Sequence, residues 1–424
     1  MEQLILSLFL TFFFVEFVVE SALNEMNLRH VQRRWAERQV PDFIRERITS
    51  EQYDQSVEYT FAKGNFQRWA EVYSRVIMLI VLFSGLLPFL DWLSRDLANS
   101  VFIFPQSHGV IFCLGVGLVF SVASLPVDLY TTFGIESRFG FNKTTLGLYI
   151  TDRVKALLIG IVIGVPFLFI VLSLMKVTGS YWWIWAFLFI SAFQLLMVII
   201  YPTLIAPIFN KFEPLKEGEF RNRILALANR VGFKTDGIYT MDGSKRSAHS
   251  NAYFTGIGKS KRIVLFDTLI EQMTMDQGLA VLAHEMGHYK MKHIRRMLVI
   301  QTIFLFVGLY FLSLLVDYPP LFSAFGFDRP SSHVALVLFS LISGPMLFYL
   351  SPLMNYLSRK HEYEADRFSA QTLGDGKSME EALINLSLKN LSNLTPHPWY
   401  SAYHYSHPST AERVTALRQV YIGR

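Results

Sequence analysis

Seven stretches of this chain are apolar enough and long enough to cross a bilayer, at roughly 4–22, 75–94, 109–129, 155–175, 181–207, 297–316 and 333–353. A span takes about 20 mainly apolar residues, and in lipid a helix satisfies its backbone polar groups without water. These stretches therefore commit much of the chain to a bundle of membrane helices. Composition agrees: 52% of residues are hydrophobic and 17% charged, with a mean hydropathy of +0.32, more apolar than one soluble core uses. The first stretch lacks the basic start and small-residue cleavage site of a signal peptide and carries Glu16 and Glu20, so it reads as a retained span.

Alternating sides down the chain sorts the basic residues. Arg29, Arg33, Arg34, Arg38, Arg45, Arg47, Lys63 and Arg68 fall on one face with Arg138, Lys143, Arg153 and all of 210–296. The other face receives only Arg95, Lys176 and Arg329. The positive-inside rule then makes the richer face cytoplasmic and the amino terminus external. It also accounts for the net charge of +5 without nucleic acid, because the basic residues are scattered among acids beside apolar runs. The organisation that follows is a first span (1–24), a basic helical cytoplasmic segment (25–74), spans two to five (75–209), a cytoplasmic piece (210–296), spans six and seven (297–353) and a carboxy-terminal piece (354–424). Residues 210–296 predict a helix near 217–231 and short strands at 237–241, 250–255 and 262–266, a small β-meander whose SNAYFT segment is free to pair only if the strand order leaves it at an edge. Polar residues inside spans, such as Glu16, Asp128 and Gln194, are costly against lipid and are expected to pair or to line an aqueous interior.

Chemistry enters at His284-Glu285-Met286-Gly287-His288. An HExxH sequence on a helix puts two imidazoles on one face with a glutamate between them, the pattern of a zinc hydrolase. Thr274 to Gln277 matches a capping box, so the helix is expected to begin near 275. Cys113, the one cysteine, lies in an apolar run, so a metal must rely on histidine and carboxylate. His293 lies five residues after His288 without the glycine turn of the extended metzincin pattern, and is expected to face solvent or headgroups. The third ligand is sought in His361-Glu362-Tyr363-Glu364-Ala365-Asp366, where Glu362 and Asp366 share a helical face and Glu364 points elsewhere. Glu362 suits a ligand, and Asp366 an acceptor that fixes a ligand imidazole. Two spans separate His288 from Glu362, which returns the chain to the same face. The metal is thus expected at the cytoplasmic membrane boundary, in reach of membrane proteins or lipid-bearing peptides. Asn251 carries an amide able to hold a peptide main chain, and the strand Asn251-Ala252-Tyr253-Phe254 suits β-augmentation. His407, before Pro408, is placed to donate to an oxyanion. Taken singly, a lone asparagine at a strand end and histidines such as His397, His404 and His407 read first as structural or surface residues.

HEMGH and HEYEAD, with FGFNKTT at 139–145, PTLIAPIFNKFEPL at 202–215, SNAYFTG at 250–256 and YHYSHPSTAERV at 403–414, resemble the Ste24 family of integral-membrane zinc metalloproteases, the CAAX prenyl proteases. The first two motifs are shared with a wider metalloprotease clan; the seven spans, FGFNK and IAPIFNKF are particular to this type. The resemblance implies a mainly α fold of seven helices enclosing a chamber, with a zincin-like cytoplasmic protease part. It implies one Zn2+ per chain on His284, His288 and Glu362, Glu285 as general base, Asp366 behind the ligands, Arg413 in support near the metal, and substrate contacts from Asn251 and His407. Substrates would be peptides or membrane proteins, prenylated ones included. The chain ends without a dilysine-type retrieval tail, which favours a bacterial cytoplasmic membrane while leaving the endoplasmic reticulum open. A protease that clears damaged membrane proteins would use the same metal site; a transporter or scaffold with a vestigial site is the non-enzymatic alternative.

Overall fold

The computed structural model describes residues 1–101, 104, 106–255 and 261–422, most of them helical. The helices are α1 (Glu2–Ala36), α2 (Ser50–Phe83), α3 (Leu86–Val101), α4 (Ser107–Leu129), α5 (Leu146–Val177), α6 (Trp182–Ile200), α7 (Ala206–Phe209), α8 (Glu219–Arg230), α9 (Asp267–Gln272), α10 (Met275–Lys290), α11 (His293–Leu315), α12 (Pro319–Ser323), α13 (Ser332–Leu347), α14 (Ser351–Leu373), α15 (Lys377–Lys389), α16 (Pro398–His404) and α17 (Thr410–Ile422). The strands are β1 (Phe212–Pro214), β2 (Gly237–Met241), β3 (Ala252–Thr255) and β4 (Arg262–Phe266).

At 1.5 Å per residue, the 35 residues of α1 and 34 of α2 each reach about 50 Å, well beyond a ~30 Å hydrocarbon core, so part of each stands outside it. α2 opens on a capping box formed by Thr49 and Gln52. It stops at Gly85, whose φ of +82° suits a residue without Cβ, and the chain bends by 60° into α3. Pro88 sits in the first turn of α3, where a missing N–H breaks no helical bond. The expected second span, 75–94, is thus a bent pair of helices. Six other helical segments among the described residues are long and apolar enough to span, making seven with the pair. Their outer faces expose side chains such as Leu158, Val162 and Leu314, which only lipid would cover. Their inner faces share one core running from Phe9 and Phe13 through Leu82, Phe112, Leu172 and Trp182 to Leu312, Phe322 and Leu338. The polar groups expected within the spans pair, each with a neighbouring helix: Glu16 with Arg75 at 3.2 Å, Asp128 with Arg153 at 2.5 Å, and Gln194 with Gln301 at 3.3 Å.

Outside the bundle two further cores join segments far apart in sequence. One packs α8, the sheet and α10 against Ala382, with Phe368 and Leu386 beside it. The other packs Val31, Ile44, Tyr53 and Val57 against Ala280, Ala370, Leu383, Val414 and Leu417, so the motif-free segment after α1 buttresses the carboxy-terminal helices. The sheet departs from the expected meander. Its order is β1-β2-β4-β3, with β2 and β4 parallel and β3 antiparallel to β4. β4 carries the unbroken run Ile263-Val264-Leu265, buried on both faces, and takes an interior position; the more polar β3 is left at an edge. The added strand β1 contains Pro214 and occupies the other edge, where a missing N–H breaks no ladder.

The FGFNK segment has a structural task. Ala248 N–H donates to Phe141 O at 3.0 Å and Lys143 N–H to Arg246 O at 3.0 Å. The Arg246 guanidinium grips Asp152 through Nε and Nη2 at 2.8 and 3.0 Å, and donates through Nη1 to Asn210 Oδ1 at 2.9 Å. The loop leading into β3 is thereby pinned to the sheet-side ends of the membrane helices.

Candidate active site

α10 begins on the expected capping box, with Thr274 and Gln277 exchanging bonds. Leu279 to Ala283 are all buried, so this helix is enclosed on most sides rather than half-exposed. α14 lies close against it. A Cβ on Gly287 would come within 3.1 Å of the Ala365 Cα, so glycine permits the approach. Ser369 Oγ donates to Ala280 O at 2.8 Å in the buried interface and sets the register. That register puts Glu362 opposite the two histidines of HExxH.

His284 Nε2 and His288 Nε2 lie 3.1 Å apart. Glu362 Oε2 is 3.4 Å from the first and Oε1 is 3.2 Å from the second. Ligands at 2.0–2.1 Å around a tetrahedral ion are separated by about 3.3 Å, so the three side chains already hold a zinc-sized triangle. Glu362 Oε2 is buried and, among the described residues, has no aligned hydrogen-bond donor, although His407 Nδ1 lies 2.8 Å away. An orphan acceptor facing two imidazoles is what a cation would satisfy. The charge distribution points the same way: the carboxylates of Glu362 and Asp366 share the single guanidinium of Arg413, which leaves negative charge beside the two imidazoles for a cation. These residues therefore fit a metal.

Both imidazoles are held from behind. His284 Nδ1 is 2.8 Å from Asp366 Oδ1, and Arg413 clasps the same carboxylate through Nε at 2.8 Å and Nη2 at 2.6 Å. His288 Nδ1 is 3.0 Å from His293 Nδ1, and His293 Nε2 is 2.9 Å from Glu364 Oε2. With each Nδ1 protonated and donating outward, both Nε2 lone pairs face the triangle. Burial alone would lower the pKa of His284, but hydrogen bonds to Asp366 and Glu362 outweigh it and hold the group at about 9. The pocket thus favours positive charge at that position. Burial pushes the Glu285 carboxyl above its usual range, with His284 and His288 opposing the shift.

His293 corrects the sequence reading: it is 2% exposed instead of facing solvent, and its ring stacks on His361 at 4.0 Å. Lys292 has φ +60°, which breaks the chain between α10 and α11 and turns His293 back towards His288. Removing His293 with His293→Ala is expected to weaken metal binding about 10- to 100-fold while leaving His284, His288 and Glu362 in place. Chelator competition measures this; unchanged affinity would show that His288 needs no partner.

Of the other expected residues, His407 reaches the cluster beside Glu362 and is 65% exposed. The Oδ1 of Asn251 accepts from the Ala252 N–H at 2.8 Å at the head of β3. Tyr253 and Phe254 spend their rings on packing, Tyr253 against Phe266 at 6.3 Å and Phe254 against Phe233 at 4.7 Å. Among the described residues the strand lies at the edge of the sheet, where it can offer a ligand main-chain groups. A cavity of about 1120 Å³ opens from His407 and runs past Tyr400 and His404 to Tyr59, Glu136 and His249.

A sequence profile described as "CAAX prenyl protease N-terminal, five membrane helices" matches residues 27–211, and one described as "Peptidase family M48" matches 214–421. The chain is 38% identical over 414 residues to "CAAX prenyl protease 1" of Saccharomyces cerevisiae, covering 92% of this chain and 90% of that one. It is 34% identical over 421 residues to the "CAAX prenyl protease 1 homolog" of Homo sapiens, with 89% and 88% covered. Among solved structures, Ste24p of S. mikatae superposes with a TM-score of 0.90 at 34% identity, covering 98% of each chain.

Proposed function

This chain belongs to the CAAX prenyl protease family of M48 peptidases, multi-pass membrane metalloendopeptidases, and from that premise we propose that His284, His288 and Glu362 hold one zinc ion, with Glu285 as general base, acting on prenylated or otherwise membrane-bound peptides. The observation that carries the reading is the 3.1–3.4 Å triangle of Nε2, Nε2 and carboxylate oxygens around an orphaned buried acceptor. When bound there, zinc supplies Lewis acidity, making water acidic near neutral pH and drawing electron density from a carbonyl. Glu285 takes the proton of the attacking water and passes it to the leaving amine. Asp366 and His293 keep the two imidazoles in the tautomer that presents Nε2. Arg413 balances Asp366 so that its charge is not spent on solvent. His407 is the donor for negative charge developing on the substrate carbonyl oxygen, and the free edge of β3 holds the extended peptide main chain, with Asn251 at its head.

The basic segments 25–74 and 210–296 support a cytoplasmic active site, and their shared packing with the carboxy-terminal helices puts them on one face. The relatives named above are eukaryotic, so a bacterial membrane draws no support from them; sidedness is the same in either membrane. A farnesylated peptide ending in a CAAX tetrapeptide tests the substrate class. Its kcat/KM is expected to exceed that of the unlipidated peptide by at least about tenfold, a difference of ~1.4 kcal/mol in transition-state binding. Equal rates, with faster cleavage of an unfolded membrane protein, would transfer the function to quality control.

A further inference from the structure

A second constellation of metal-binding side chains lies at the other end of the bundle. Asp91 of α3, His108 at the start of α4 and His333 at the start of α13 converge from three helices, each with a ligand atom within 4.8 Å of the others. Asp91 Oδ1 is 2.8 Å from His108 Nε2 and 2.7 Å from His333 Nε2, and the two rings lie 4.5 Å apart. Arg95 holds the other carboxylate oxygen at 3.0 Å, which leaves Oδ1 to the imidazoles. The approach of α4 to α13 depends on Gly109, where a Cβ would meet His333 Cβ at 3.0 Å and Leu172 Cδ1 at 2.9 Å. The three side chains are 13–24% exposed, sheltered yet reachable from water.

This trio is remote from the protease site. His333 and Glu362 belong to one helical run, Ser332–Leu373, and 29 residues at 1.5 Å put them about 40 Å apart, across the membrane.

We propose that Asp91, His108 and His333 form a second divalent transition-metal site, on the face opposite the catalytic cluster, which clamps α3, α4 and α13 together. Two imidazoles and one carboxylate select a first-row transition ion over Ca2+ or Mg2+, which prefer all-oxygen shells. Three protein ligands leave a further coordination position, and the Asp91 carbonyl oxygen already lies 3.1 Å from His108 Nε2. In the ion-free form the carboxylate accepts from both Nε2–H groups; binding needs each proton on Nδ1 instead, a change of tautomer that leaves the imidazole neutral. An ion tying the end of α13 to α3 and α4 joins the two halves of the membrane bundle, and binding to the folded state alone raises its stability.

Purified full-length protein in detergent tests this, with Zn2+ as the quantitative probe and Co2+ as the spectroscopic one. In a His284→Ala/His288→Ala background, one equivalent of Zn2+ is expected to remain, with Co2+ giving a visible ligand-field band. Adding His108→Gln/His333→Gln should abolish both signals. Asp91→Asn, which keeps the side-chain shape, should weaken the residual Zn2+ at least about tenfold, so the assignment does not depend on the quadruple variant folding. Absence of bound Zn2+ in the His284→Ala/His288→Ala protein would overturn the proposal, as would retention that Asp91→Asn leaves unchanged.

Discussion

Glu285→Gln is expected to lower kcat/KM on a cleaved peptide by about 10²- to 10⁴-fold while the metal content stays that of the unsubstituted protein. Glutamine keeps the size and helical fit of the residue but removes the base. None of its three side chains is touched, so the triangle of His284, His288 and Glu362 persists. The contrast is Glu362→Gln, which replaces a carboxylate by a neutral amide and is expected to lose the ion at that triangle, one equivalent of metal, together with activity. Measuring zinc stoichiometry beside the rate separates the two. A Glu285→Gln protein that binds zinc and cleaves at the wild-type rate would remove Glu285 from the reaction.

Asp366→Ala is expected to destabilise the protein by about 3–5 kcal/mol, the cost of leaving a buried guanidinium without its partner. Asp366 is 2% exposed, and it takes three of the short contacts that the cluster offers: two from Arg413 and one from His284. Arg413 retains Glu362 Oε2 at 3.4 Å as its carboxylate contact and His284 Nδ1 at 3.3 Å, and His284 loses the acceptor that fixes its tautomer. Stability and metal affinity should therefore fall together in the single variant. The double variant Asp366→Ala/Arg413→Met removes both charges and is expected to recover much of the stability while metal affinity stays low. Thermal unfolding in detergent reads the first quantity and chelator competition the second. Recovery of both would mean that Asp366 serves the fold alone.

Much of this site is written in local spacing. His284 and His288 share a face because a helix repeats every 3.6 residues, and Glu362 and Asp366 share one for the same reason. Thr274 and Gln277 mark where α10 starts, and the structure begins that helix at Met275. His293 was misread because its placement depends on the left-handed Lys292 and on Glu364, 71 residues away, neither of which has a signature in sequence. The strand order was misread for a similar reason. Periodicity identifies β2, β3 and β4, but whether β4 pairs with β2 on its free side is settled by which strand can be buried on both faces.

Apolar length and the HExxH spacing were sufficient, by themselves, to place a bundle of membrane helices and a helix with two imidazoles on one face, because both follow from backbone hydrogen bonding and helical periodicity within single segments. Only the tertiary structure decided that Gly287 lets α14 approach α10 until Glu362 closes the triangle, that Arg413 from the last helix reaches Asp366, and that Asp91, His108 and His333 meet at the far end. Those contacts join residues tens to hundreds of positions apart. They exist because close-packed helices fix distances to within an ångström, a property of neighbours that no single stretch of sequence contains.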